Sequence, residues 1–208
     1  ITSIACQNKP AYSTIVTHGF VLDEAMRKMS KSLGNVVNPS DVIAQYGVDV
    51  MRLWVASSQF TEDLSYSEAV MKTCKESYLK IRNTFKFMLG NIDSNIHATV
   101  EPLELDQLAM EYSKWKLQAV IEEYNKYEFA KGYQSILSFV ISDLSGFYLD
   151  SIKDRLYLSA IDSSERLSAQ LALKLIMTDF AITLAPLCPL LVAEVSEHAK
   201  MDFSKMQF

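Results

Sequence analysis

Two lysines, two serines and a glycine crowd into the stretch RKMSKSLGN, Arg27 to Asn35. Lys28 and Lys31 carry compact ammonium charges with three donors each, close enough along the chain to meet one ligand. Ser30 and Ser32 add hydroxyl donors, and the loop backbone adds free N–H groups. That set suits a polyphosphate. When a nucleophile attacks the α-phosphate of a nucleoside triphosphate, negative charge grows on the departing pyrophosphate. Lysines held there stabilise the transition state more than the ground state. A generic K-x-x-K would be a solvated basic loop instead. With average residue usage, however, the string KMSKS arises by chance in a chain this long on the order of once in ten thousand, which favours the chemical reading.

The elements around the loop must position it. The segment YSTIVTHGFVLD, Tyr12 to Asp23, is rich in β-branched and aromatic residues and predicts a strand, with His18 and Gly19 towards its end. A lone strand leaves its edges unpaired, so the first forty residues or so are expected to be less ordered than the remainder. After the loop, Asn38 is a good N-cap, Pro39 fits a first helical position, Asp41 complements the helix dipole and Gly47 can close the helix. VDVMRLWVASS predicts a second short helix.

Beyond Ser65 the pattern is helical throughout. Val70, Cys74, Tyr78, Ile81, Phe85 and Met88 recur at steps of three and four and predict one buried face. Leu117, Val120, Tyr124 and Tyr127 repeat the pattern, as do Phe129, Tyr133, Ile136, Val140, Leu144 and Phe147, and later Leu173, Met177, Phe180 and Leu184. Pro186 and Pro189 end that helix, and LLVAEVSEHAK forms a last one. NIDSNIHATVEP and SAIDSSE are polar connections of ordinary length. The predicted fold class is mainly α: an antiparallel helical bundle preceded by a small strand–loop remnant.

Composition bounds the rest. The chain has 208 residues, is 49% hydrophobic and has only six glycines and five prolines, as a folded domain does. A net charge of −5 argues against a surface basic all over, while leaving room for a local basic stripe. Cys6, Cys74 and Cys188 lack the spacing of a zinc site or a disulfide framework and are expected as reduced, buried thiols in the cytoplasm. No uninterrupted apolar run reaches transmembrane length. The first residue, Ile1, is consistent with a piece cut from a longer chain.

KMSKS, Lys28 to Ser32, resembles the signature loop of the class I aminoacyl-tRNA synthetases. THGFVLDEAMRKMSKSLGNVVNPSDVIAQYGVDVMRLWVASSQF, Thr17 to Phe60, resembles the subgroup that handles isoleucine, valine and leucine. SYLKIRNTFKFMLGNI (Ser77 to Ile92), YNKYEFAKGYQ (Tyr124 to Gln134) and SGFYLDSIKDRLY (Ser145 to Tyr157) are similar to the isoleucine-specific family within it. The resemblance implies a Rossmann-type catalytic remnant with the loop over residues 1–38, connecting stem-contact helices over 39–66 and an anticodon-binding helical domain over 67–208.

It also implies that Lys31, aided by Lys28, contacts the ATP phosphates during aminoacyl-adenylate formation. Ser30 and Ser32 would shape the loop, and the Met29 backbone would lie near adenine. His18 and Gly19 would line the nucleotide pocket, although a satisfied strand histidine is an equal reading for His18. Asp49 and Arg52 would support the loop structurally. The partners implied are tRNA(Ile), ATP with Mg2+ in the parent, and isoleucine. The expected protein is a cytoplasmic monomer, with no zinc in this portion. The amino-acid pocket and the HIGH and editing elements would lie upstream of it, so the portion alone is expected to bind tRNA without catalysing.

Some residues depart from the pattern. Where the family often has Leu-Asp-Arg-Trp, this chain has Leu105, Asp106, Gln107 and Leu108, and Trp115 is expected in the core. Lys72, Lys75, Arg82 and Lys86 form a stripe about 120° from the apolar face, which suits tRNA phosphates or simply a solvated face. A sister synthetase, or a stand-alone helical interaction module, would share many of these features.

Overall fold

The computed structural model describes residues 2–93 and 100–203. Its elements are α1 (Thr2–Gln7), β1 (Val21–Leu22), α2 (Pro39–Tyr46), α3 (Val48–Ser57), β2 (Leu64–Ser65), α4 (Glu68–Asn91), α5 (Glu104–Asn125), α6 (Phe129–Ser138), α7 (Leu149–Ser151), α8 (Lys153–Tyr157), α9 (Ser164–Leu184) and α10 (Pro189–Ala199). A π-helix, Phe139–Tyr148, joins α6 to α7. The middle of the polar connection NIDSNIHATVEP lies outside the described residues.

Helix starts follow local capping chemistry. Asn38 caps α2 by accepting from the Ser40 N–H, Ser67 caps α4 through Val70, and Ser163 caps α9 through Arg166. Gly47 ends α2 at a φ of 90°, which only glycine adopts without strain. The bundle core is built from α4, α5, α6, the π-helix and α9, with Phe85 stacked on Phe180 at 4.7 Å and Phe139 edge-on to Phe180. A smaller cluster of Val42, Val50, Trp54, Met71 and Cys74 joins α2, α3 and the start of α4. Half-buried Tyr78 packs against both clusters.

The predicted strand over Tyr12 to Asp23 shrinks to Val21–Leu22. β propensity expresses fit to a pleated, half-buried surface, and among the described residues the ladder partner is Leu64–Ser65, in parallel register with Val21 opposite Leu64, with a single antiparallel bridge from Leu22 to Lys28. The strand is therefore not unpaired as expected. Gly19 N–H donates to Phe60 O at 2.9 Å, and the Phe20 N–H donates to Asp63 Oδ1 at 2.8 Å. Tyr12, Ile15 and Phe20 stay more than 60% exposed.

Four predicted core positions are corrected. Phe147 is exposed and Tyr148 is buried in its place, because the wider turns of the π-helix convert the last step from three residues to four. Tyr127 is exposed in the turn after α5, at a φ of 61°. Val70 lies beside the inward stripe, and Met71 takes its place at the head of the buried face. Trp115 is not core at all: it is 65% exposed. Cys74 and Cys188 are buried free thiols, whereas Cys6 is exposed. Helix α9 is long and apolar enough to cross a membrane, but its apolar residues face the neighbouring helices because it is the central helix of the bundle.

Candidate functional site

The KMSKS loop is held by one carboxylate and one amide. After β1 the chain turns back at Asp23, whose Oδ1 accepts from the Ala25 and Arg27 N–H groups at 3.0 and 2.8 Å. Asp23 Oδ2 accepts from Arg27 Nε at 3.0 Å and from Asn35 Nδ2 at 2.9 Å. Asn35 in turn accepts the Ser30 N–H through Oδ1 at 2.9 Å. The two ends of the loop are thus tied to each other and to the strand. Asn35, Arg27 and the backbone donors hold the Asp23 carboxyl down to about 2, against the burial that would raise it.

Within that clamp, Ser30 caps a short 3₁₀ turn, Lys31–Leu33, by accepting from the Leu33 N–H. Its hydroxyl also meets that of Ser32 at 3.1 Å. Gly34 closes the turn in the left-handed region at a φ of 66°. The two serines therefore spend their hydroxyls on the loop itself. The lysines differ. Lys28 rests its ammonium 4.6 Å from the centre of the Phe20 ring. Lys31 is exposed, and its ammonium makes no hydrogen bond or ion pair among the described residues. Met29 is half-buried between them.

His18 and Gly19 are not part of this cluster. His18 lines a separate cavity with Val16, Met51, Arg52, Phe60 and Leu187, between the extended segment and the end of the bundle. A side chain at Gly19 would strike the Glu62–Asp63 backbone, within 2.1 Å of Glu62 O, so close packing alone requires a glycine there.

The α3 pair acts on the bundle rather than on the loop. Asp49 Oδ2 accepts from the Leu191 N–H at 2.7 Å, and its Oδ1 accepts from Leu190 at 3.3 Å, so it caps α10. Arg52 donates to Pro186 O at 2.6 Å and to Leu187 O at 3.0 Å, just past the end of α9. Burial pushes the Asp49 carboxyl up, with the two N–H donors and Arg52 opposing the rise.

The basic stripe on α4 is partly spoken for. Arg82 is paired with Glu194 at 2.7 Å and Lys72 lies 3.9 Å from Glu68, while Lys75 and Lys86 are exposed. A second hub escaped sequence reasoning. Fully buried Asp106 receives a bidentate Arg155 pair at 2.7 Å on each oxygen, the Tyr148 hydroxyl at 2.8 Å and a short bond from Ser168. It ties α5, the π-helix, α8 and α9 together. Among the described residues no three His, Cys, Asp or Glu side chains converge as a metal site.

Comparison with known proteins follows the same two-part organisation. Residues 1–67 match the family of tRNA synthetases class I (I, L, M and V), and residues 114–206 match the anticodon-binding domain of tRNA ligase. The chain belongs to the class I tRNA synthetases. An isoleucine–tRNA ligase of Caldanaerobacter subterraneus subsp. tengcongensis is 40% identical over 207 residues, covering 97% of this chain. That of Campylobacter lari is 42% identical over 202 residues, again covering 97%. This synthetase chain spans about a fifth of each relative, 22% of its length. In fold it is similar to Mycobacterium tuberculosis methionyl-tRNA synthetase in complex with methionyl-adenylate, with a TM-score of 0.71 at 19% identity over 86% of this chain and 36% of that one.

Proposed function

We propose that this chain is the signature-loop and anticodon-arm portion of an isoleucine–tRNA ligase. Residues 1–38 would close the catalytic domain, 39–66 would connect it to the bundle, and 67–208 would bind the anticodon arm of tRNA(Ile). The observation that carries the reading is Lys31, exposed and without a hydrogen bond or ion pair among the described residues, on a turn clamped through Asn35 and Asp23. The similarity to isoleucine–tRNA ligases along nearly the whole chain supports the choice of amino acid.

In the reaction, the isoleucine carboxylate attacks the α-phosphorus of ATP. The bond to the bridging oxygen breaks, and isoleucyl-adenylate and pyrophosphate form. Lys31 meets the phosphates that leave and gains most as their charge develops. Lys28 adds a second charge once it swings from the Phe20 ring, and the Ser30-capped turn presents backbone N–H groups at the same edge. Magnesium normally accompanies ATP, but Asp23, the carboxylate against the loop, already has both oxygens occupied and does not suit a metal ligand. No step here depends on it. Exposed apolar Tyr12, Ile15 and Phe20 support a catalytic sheet that extends over this edge.

On the bundle, Lys75 and Lys86 offer phosphate contacts directly, and Lys72 and Arg82 do so on exchanging their carboxylate partners. The protein is proposed to work as a cytoplasmic monomer. Filter binding of the isolated chain to isoleucine tRNA, with valine and leucine tRNAs as competitors, tests the reading. Selective, salt-sensitive binding without isoleucine-dependent pyrophosphate exchange is expected. Equal binding of all three tRNAs, or none, would contradict it.

A further inference from the structure

Both loop lysines are exposed, but only one of them is held. Lys28, like Lys31, makes no hydrogen bond or ion pair among the described residues, yet its ammonium sits 4.6 Å from the centre of the Phe20 ring. Phe20 lies outside the KMSKS string, eight residues before Lys28.

The backbone builds this contact. Leu22 and Lys28 face each other in a single antiparallel bridge, and Phe20, two residues before Leu22, projects to the same side of the extended segment. An aromatic ring and a long side chain on such a diagonal reach each other. Phe20 itself is anchored. Its N–H donates to Asp63 Oδ1 at 2.8 Å, and its carbonyl accepts from the Leu64 N–H at 2.8 Å. Packing within the described residues does not call for a phenyl ring here, since Phe20 is 61% exposed and belongs to neither core cluster.

We propose that Phe20 is a positioning residue that holds Lys28 away from the phosphates until a polyphosphate draws it off the ring. The ring quadrupole attracts an ammonium by an amount that, at an exposed site, shifts an equilibrium about two- to fivefold. The charge of a triphosphate exceeds that attraction, so Lys28 leaves the ring as ATP binds and returns once pyrophosphate has gone. The apparent affinity for ATP is lowered according to the fraction of molecules whose Lys28 is held. Release precedes the chemical step, so ground state and transition state gain alike from a freed lysine, and the effect falls on KM for ATP. The inference rests on the proposed role of the loop in ATP activation and adds the residue that sets when Lys28 is free.

Variants of the longer ligase test it through the ATP dependence of isoleucine-dependent pyrophosphate exchange. Phe20→Leu frees Lys28 and should lower KM for ATP about two- to fivefold, the reverse of what a damaged loop would do. Phe20→Trp binds an ammonium more strongly and should raise it. Lys28→Ala should raise it too, and adding Phe20→Leu to Lys28→Ala should change nothing further. In the 208-residue chain, the Lys28 ε-methylene NMR signal, assigned by its loss in Lys28→Ala, should lie upfield of the other lysines because of the ring current, and Phe20→Leu should return it to their position. An unchanged or raised KM in Phe20→Leu, with Lys28→Ala still raising it, would overturn the role of Phe20 and leave the loop assignment standing. An unchanged KM in Lys28→Ala would overturn the loop assignment and the role of Phe20 with it.

Discussion

Asp49 and Arg52, one turn apart on α3, grip the same corner of the bundle from its two sides. Asp49 caps the start of α10 at Leu190 and Leu191, and Arg52 holds the carbonyls of Pro186 and Leu187 beyond α9. More than 130 residues of chain separate the partners, so this clasp fixes the loop-bearing part onto the bundle. Arg52→Ala removes a charged donor and strands two carbonyls, at a cost of about 2–3 kcal/mol. Arg52→Lys should recover little, because a single ammonium cannot reproduce the planar fork. Urea midpoints of the three proteins test this.

The Asn35 amide is the largest influence holding Asp23 at about 2, below its ordinary value of 3.8. A carboxyl held low contributes stability above its unfolded value and loses it as the pH falls through the folded one. The clamp is therefore intact from neutral pH down to about 4 and releases between there and about 2. Asn35→Ala should move the Asp23 titration back towards 3.8, followed by carboxyl carbon NMR. An unmoved titration would mean that Arg27 and the backbone suffice.

Asp106 is also held low within the bundle, but with burial as the largest single influence against it. Burial pushes its carboxyl up, but the Arg155, Ser168 and Tyr148 donors outweigh this and hold it below its ordinary value. Asp106→Ala leaves Arg155 largely buried without its partner and should cost about 3–5 kcal/mol. Asp106→Ala with Arg155→Leu should be less harmful than the first change alone. Thermal melts of both variants distinguish a network from an isolated pair.

Much of this architecture was legible in the sequence because it is local. The capped start of α2, the glycine after it and the three-and-four spacing of Ile81, Phe85 and Met88 need only neighbouring residues to be read. The misses were non-local or conformational. Phe147 yields its core place to Tyr148 because a π-helix resets the period, and nothing in the hydrophobic pattern announces such turns. The strand shortens because strand length depends on a partner forty residues away. Trp115 is expected in the core, yet it stands exposed on α5 beside Tyr112. The lysines of the loop were visible from residue type, whereas their clamp was not, since the Asp23–Asn35 bond spans twelve residues. Its signal was present: an aspartate four residues before an arginine, and an asparagine directly after a left-handed glycine.

The central claim is that Lys31 acts on the leaving pyrophosphate of ATP in isoleucine activation. It is tested most directly by isoleucine-dependent exchange of labelled pyrophosphate into ATP, measured on the longer ligase with Lys31 intact and with Lys31→Ala. The account predicts a fall in the exchange rate of about a hundredfold or more with isoleucine affinity little changed, because the partner charge develops in the transition state. An undiminished exchange rate in the Lys31→Ala enzyme, or one lost only through weaker isoleucine binding, would contradict it.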